Sequence, residues 1–126
     1  MRLKPSQSSS LDHALAPFAP AVIYVFGSYG TPAWHPGSDI DIAFLPMNRV
    51  DSHQLFRIAN RLSGEFGTEV DLIDLSRAST VFRKEVIRTG EPVRVYDEPA
   101  MRQFEMLALS DYARLNEERR ETLAAG

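Results

Sequence analysis

The apolar residues of the chain fall into short blocks of strand length. Residues 21–26 form an unbroken run of apolar and aromatic side chains that ends at a glycine, and this predicts a buried strand. Residues 39–44, 69–75 and 92–96 have similar length and composition. Pro92 places the last strand at a sheet edge, because proline cannot donate a hydrogen bond to a ladder. The pattern therefore predicts four strands.

Apolar residues spaced three or four apart predict helices between these strands. One helix is capped by Asp51 or Ser52 and closed by Gly67, with a single apolar stripe formed by Leu55, Ile58, Ala59, Leu62 and Phe66. A second helix is capped by Ser79 and ends at Gly90. Together with the strands, these helices make a small mixed α/β (α+β) domain.

The two ends of the chain differ in pattern. Residues 1–10 are polar and without periodicity, so we expect a flexible tail there, followed by a short helix over residues 11–18. Residues 97–125 predict a long helix whose apolar side chains cover more than one stripe. Because a small domain covers only part of such a helix, we expect it to contact a helical partner. Residues 11–126 are thus interpreted as a single domain ending in a long C-terminal helix.

Composition narrows the class of protein. The 126 residues carry a net charge of −3, which argues against a chain that binds nucleic acid directly through a basic face. The absence of cysteine excludes disulfides, thiolate zinc sites and cysteine nucleophiles. No apolar run is long enough to span a membrane, and the first residues do not resemble a signal peptide. We expect a cytoplasmic protein without a membrane partner.

Candidate chemistry begins where the first strand ends. Gly27 allows the backbone to approach a ligand closely, and Ser28 adds a hydroxyl group, although the pair alone is typical of an ordinary turn. Asp39 and Asp41 are two positions apart on the next predicted strand, so their carboxylates project from one face. Such neighbours repel each other, and a cation such as magnesium relieves that repulsion. A solvated turn is the alternative interpretation of this pair.

The third predicted strand carries two further acids of opposite phase. Asp71 and Asp74 are three positions apart and point to opposite faces of the strand. We interpret Asp71 as the third acid of the site and Asp74 as a capping or turn residue. The alternative for Asp71 is an ion pair with a buried arginine.

These motifs resemble the minimal nucleotidyltransferases of the polymerase-β-like superfamily. The resemblance lies in Gly27-Ser28, ten intervening residues, Asp39-Ile40-Asp41 and an acid on a later strand, and it extends over roughly residues 11–120. Residues 86–96 and the helix that follows are most similar to MntA-type antitoxins, which are encoded beside HEPN-domain toxins. The resemblance implies the nucleotidyltransferase fold.

The same resemblance implies an activity and a set of site residues. Such antitoxins transfer AMP from ATP to a tyrosine of the HEPN-domain toxin and thereby silence an RNase. By this resemblance, Gly27, Ser28 and Ser38 bind the nucleotide, while Asp39, Asp41 and Asp71 are catalytic and hold Mg²⁺. Two ions are expected, and Mn²⁺ is a substitute. An antitoxin that acts by binding alone and a transferase for small molecules of the aminoglycoside type remain open as alternatives.

Overall fold

A computed structural model of the chain describes residues 3–27 and 39–125. In chain order, its elements are α1 (Pro5–Leu15), a 3₁₀ turn (Ala16–Phe18), β1 (Pro20–Phe26), β2 (Ile40–Pro46), α2 (Ser52–Phe66), β3 (Val70–Asp74), α3 (Thr80–Thr89), β4 (Glu91–Val95) and α4 (Glu98–Ala125).

The strands form one mixed sheet in the order β3-β2-β1-β4. Strand β1 is antiparallel to both β2 and β4, whereas β2 and β3 are parallel. The parallel pair requires a crossover connection, which α2 supplies. Strand β4 lies at the sheet edge, as Pro92 indicated, and the mixed α/β architecture is confirmed.

The sheet is covered by helices on both faces. One face packs against α1 and α2, and its core includes Ile23 and Ile42 from the strands and Leu62 from α2. The other face packs against α3 and α4 through a second cluster that includes Tyr24 and Val86. The first six residues of β1 are buried, because this central strand is covered on both sides.

The signals at the ends of α2 and α3 are confirmed. The side chain of Asp51 accepts a hydrogen bond from the His53 backbone N–H, and α2 ends at Gly67 in the left-handed conformation with φ of 72°. The Ser79 hydroxyl accepts from the Phe82 backbone N–H at the start of α3. Each cap satisfies a backbone group that a helix end would otherwise leave unpaired.

The N-terminal expectation was wrong over residues 5–10. Helix α1 begins at Pro5 and not near Leu11, so these residues are helical and do not belong to a flexible tail. The cause is local: proline is favoured in the first helical turn, and the Gln7 side chain accepts from the Lys4 backbone N–H at 2.9 Å. These polar signals carry no apolar periodicity and are therefore easily missed.

Helix α4 is anchored over its first half. The Tyr24 hydroxyl donates to Glu105 at 2.8 Å, and burial together with this bond raises the pKa of Tyr24. Ala108 is buried, but Met106, Leu107 and Leu109 are exposed by 60%, 51% and 46%. The expected surplus of apolar surface on α4 is therefore present. None of the helices in the described ranges is long and apolar enough to cross a membrane.

A comparison of Gly90, at the end of α3, with Gly64, within α2, tests how closely the chain is packed around Gly90. A methyl group on Gly90 would lie 2.5 Å from the Val86 carbonyl oxygen and 3.4 Å from the Phe26 Cβ, whereas one on Gly64 would meet nothing within 4 Å. We expect Gly90→Ala to lower the free energy of unfolding by about 1–3 kcal/mol through overpacking. Gly64→Ala, the matched control within α2, should raise it by roughly 0.5–1 kcal/mol. Urea unfolding measures both, and equal effects would contradict this account of Gly90.

Candidate active site

Two carboxylates are brought side by side by the pairing of β2 and β3. Asp41 is the register partner of Asp71 across the parallel pair, and Phe26 at the end of β1 is the partner of Asp41 on its other side. Ile40 and Ile42, which flank Asp41, are buried on the opposite face of the sheet. Strand alternation therefore directs the side chains of Asp41 and Asp71 to the same face, at the edge where β1 ends and β2 begins.

The two carboxyl groups interact directly. The pKa of Asp41 is raised, first by burial, then by the charges of Asp71 and Asp39, and also by a side-chain hydrogen bond with Asp71. A carboxyl pair can share a hydrogen bond only while one member is protonated. Ionisation of Asp41 is thus made less favourable by its surroundings at this edge.

Gly27 lies directly against this pair. Its backbone has φ of 77°, a left-handed conformation that residues other than glycine rarely adopt. A Cβ atom at this position would overlap the Oδ2 atom of Asp41. From the family resemblance of the sequence, Gly27 was predicted to bind the nucleotide. The geometry adds a second reason for glycine, which is room for the Asp41 carboxylate.

Asp39 lies just before β2 and is exposed. Its neighbour Ile40 is fixed by a backbone hydrogen bond of 2.9 Å to the Glu69 carbonyl, which joins the starts of β2 and β3. Within residues 3–27 and 39–125, no three His, Cys, Asp or Glu side chains form a group able to hold a metal ion. The protein contributes a close pair, Asp41 and Asp71, with Asp39 near enough to raise the pKa of Asp41.

Asp74 is the last residue of β3, and its side chain takes part in the turn that follows the strand. Its Oδ1 atom accepts hydrogen bonds from the Ser76 backbone N–H at 2.9 Å and from the Ser76 hydroxyl at 2.6 Å, and Arg77 lies 3.8 Å from Oδ2. The predicted placement of Asp71 with Asp41, and of Asp74 in a turn, agrees with this geometry. Ser28 and Ser38, the other predicted nucleotide-binding residues, lie outside the described residues.

The raised pKa of Asp41 predicts how stability changes with pH in the absence of divalent metal. Because the folded pKa exceeds the unfolded one, the associated stability is present below the ordinary carboxyl pKa of 3.8 and is lost as pH rises through the raised value. Asp41→Asn should therefore raise Tm in EDTA at about pH 8 and have little effect at about pH 4. Thermal unfolding across this range measures the difference.

The control for this experiment is Glu117→Gln, which removes one charge from an exposed position on α4. The difference in Tm between this variant and the unsubstituted chain should not grow between about pH 4 and about pH 8. If Asp41→Asn changes Tm by the same amount at about pH 8 and at about pH 4, the assignment is contradicted.

Comparison with known proteins places this geometry in context. Residues 11–99 match the family described as Polymerase beta, Nucleotidyltransferase. A stretch of 70 residues, 56% of the chain, is 40% identical to the protein adenylyltransferase MntA of Shewanella oneidensis. That match covers 50% of the relative, so the matched stretch spans about half its length.

Solved structures match over nearly the whole chain. A chain in a crystal structure of a toxin–antitoxin complex with AMP-PNP has a TM-score of 0.78 and 30% identity, covering 93% of this chain and 95% of that one. A chain of the tri-AMPylated Shewanella oneidensis HEPN toxin in complex with MNT antitoxin has a TM-score of 0.78 and 27% identity, covering 98% of both. With the family match over residues 11–99, these similarities identify the chain as a member of the polymerase-beta nucleotidyltransferase family.

Proposed function

We propose that this chain is an antitoxin that transfers AMP from ATP to a tyrosine of a HEPN-family toxin. The observation that carries the proposal is the Asp41–Asp71 pair beside Gly27, in a chain of the nucleotidyltransferase family. Relatives described as a protein adenylyltransferase and as complexes with AMP-PNP or with a tri-AMPylated toxin support this nucleotide and this class of acceptor.

The acid pair suits a hard divalent cation. Magnesium is usually held by one or two carboxylates and completes its shell with water and substrate phosphates. Asp41 and Asp71 would supply two such oxygen ligands, and Asp39 lies close by. A bound cation would offset both the burial and the like charges that raise the pKa of Asp41. We infer that Asp41 and Asp71 bind Mg²⁺ together with the triphosphate, whose oxygens supply ligands that the protein alone does not, and that Asp39 joins them as the third acid once the nucleotide is bound; two ions per site are inferred, with Mn²⁺ as a substitute.

In the reaction, an acceptor hydroxyl attacks the α-phosphorus of ATP and pyrophosphate leaves. Metal ions held by the acids would supply charge neutralisation at the phosphates. Asp71, on the β3 side of the pair, is the group we assign to accept the proton of the acceptor hydroxyl. Gly27, Ser28 and Ser38 hold the nucleotide in this proposal, with the glycine letting the phosphates approach the backbone. Positioning and charge account for most of the catalysis in such transfers.

A partner protein also suits the surface of α4. Met106, Leu107 and Leu109 are exposed by 60%, 51% and 46%, on a helix that packs against the second cluster through Met101 and Phe104. The apolar excess on α4 supports contact with a helical protein, as expected from the sequence.

The first functional prediction concerns metal and charge. AMP transfer to the HEPN-family toxin should require Mg²⁺ or Mn²⁺ and should stop in EDTA. Asp41→Asn should reduce transfer on the order of 100-fold or more, because several kcal/mol of charge stabilisation depends on the metal. Labelled ATP incubated with both proteins measures this, with Tm confirming that the variant is folded. Undiminished transfer by the variant would refute the assignment.

The second functional prediction separates the two acids of β3. Asp71→Asn should abolish transfer on a similar scale, since it removes one member of the pair. Asp74→Asn is the matched control: it weakens the turn at Ser76 but leaves the acid edge intact, so most of the transfer should remain. If the control loses transfer and Asp71→Asn keeps it, the site has been assigned to the wrong acid.

A further inference from the structure

Ser63 connects the end of α2 to the beginning of β3. Its hydroxyl donates to the Ala59 carbonyl oxygen at 2.9 Å and accepts from the Val70 backbone N–H at 2.8 Å. Its own backbone carbonyl accepts the Gly67 N–H at 3.0 Å, the bond that closes α2. Residues 67–69 form the connection between the helix and the strand. Both ends of this short connection are therefore held by one residue.

The helix that contains Ser63 does not itself require a serine at this position. Alanine is favoured over serine in a helix interior, because a serine hydroxyl competes for backbone hydrogen bonds. Here the hydroxyl proton is committed to the carbonyl oxygen four residues earlier, which leaves the oxygen lone pairs to accept from Val70. Ser63 is half-buried, and removal of its hydroxyl would take this acceptor from the Val70 N–H. The serine thus serves the strand that follows the helix.

Asp71 lies one residue beyond the point that Ser63 holds. Strand β3 is at the edge of the sheet, with β2 beside it, and Asp71 is its second residue. The bond that joins the beginnings of these two strands runs from the Ile40 N–H to the Glu69 carbonyl oxygen at 2.9 Å. Strand ends open more readily than strand centres. Asp71 therefore lies where the sheet alone restrains the strand least.

The acids themselves exert a force on this end of the strand. Asp41 and Asp71 are register partners of like charge, so repulsion between them favours displacement of the beginning of β3. Such a displacement would have to break the bond between Val70 and the Ser63 hydroxyl. Helix α2 is fixed in turn by the core, because its buried Leu62 belongs to the same cluster as Val70. The bond therefore ties the strand end to a rigid element.

We propose that Ser63 is a positioning residue for Asp71, which it keeps at the separation from Asp41 that suits a shared Mg²⁺ ion with the triphosphate. The proposal rests on the proposed function. Ser63 acts through the backbone: its hydroxyl binds Val70, whose side chain is buried on the face of the sheet opposite to Asp71. Because magnesium demands a near-ideal octahedral arrangement of its ligands, a small shift of one carboxylate weakens its binding.

The test measures binding of AMP-PNP to the full chain by isothermal titration calorimetry, so that no transfer is needed. Ser63→Ala should raise the Kd for AMP-PNP in Mg²⁺ about 10-fold, because loss of a group that orients a metal ligand typically has an effect of this size. In EDTA, the variant and the unsubstituted chain should bind AMP-PNP equally weakly. In transfer to the HEPN-family toxin, kcat should fall by a similar factor while KM for the toxin stays unchanged.

The matched control is Ser79→Ala, which removes another serine hydroxyl that accepts a backbone N–H, from Phe82 at 3.1 Å. Ser79 follows the end of β3 that lies away from Asp71. Both variants should lower Tm by ~2–6 °C, since each leaves one N–H without its acceptor. Ser63→Ala alone should weaken AMP-PNP binding in Mg²⁺. Ser63→Thr should restore most of that affinity, because a helical threonine keeps a hydroxyl able to reach the carbonyl four residues earlier.

The outcomes separate this inference from the proposed function. If the unsubstituted chain binds AMP-PNP no better in Mg²⁺ than in EDTA, the acid pair does not hold metal and both are overturned. If it does bind better, but Ser63→Ala binds equally well, the positioning role alone is overturned. The same holds if Ser79→Ala weakens binding as much, since the effect is then a general loss of stability. Should Ser63→Ala fail to fold, Ser63→Cys carries the test, with a smaller rise in Kd because a thiol is a weaker acceptor.

Discussion

Repulsion between two carboxylates on adjacent strands is the constraint around which this fold is arranged. Asp41 and Asp71 are register partners, so the backbone hydrogen bonds of the sheet hold them together regardless of their charge. The surrounding core makes this possible. Strands β1 and β2 are buried against helices on both faces, and such close-packed interiors resist the small movements that would separate the pair. The glycine beside Asp41 leaves room for its carboxylate.

In the protein without ligand, this arrangement lowers stability locally at the edge that holds Asp41 and Asp71. Burial and like charges both oppose ionisation of Asp41, so this edge is least stable when no cation is bound. Anything that binds there and supplies positive charge stabilises the folded chain through mass action. Loss of stability in exchange for a poised site is common at functional centres.

The sequence predicted the parts of this structure that depend on local signals. The ends of α2 were predicted from Asp51 and Gly67, because capping residues and glycine act over a few positions. Pro92 identified the edge strand for a similar local reason. The start of α1 at Pro5 was missed because polar caps replace an apolar stripe there. The strand order and the contact between Gly27 and Asp41 depend on distant segments, so no local pattern encodes them. Alternation along β3 was enough to separate Asp71 from Asp74.

The parallel pairing of β2 with β3 has a consequence for the order of folding. Hairpin-like contacts close short loops, but Asp41 and Asp71 are 30 positions apart and meet only after the whole α2 crossover has folded. Closing the longer loop carries a larger entropy cost and slows the formation of such contacts. The acid pair therefore cannot form before β3 has returned to lie beside β2, and a chain that has lost β3 has no pair. A copy in which this crossover has not formed therefore lacks the paired carboxylates altogether.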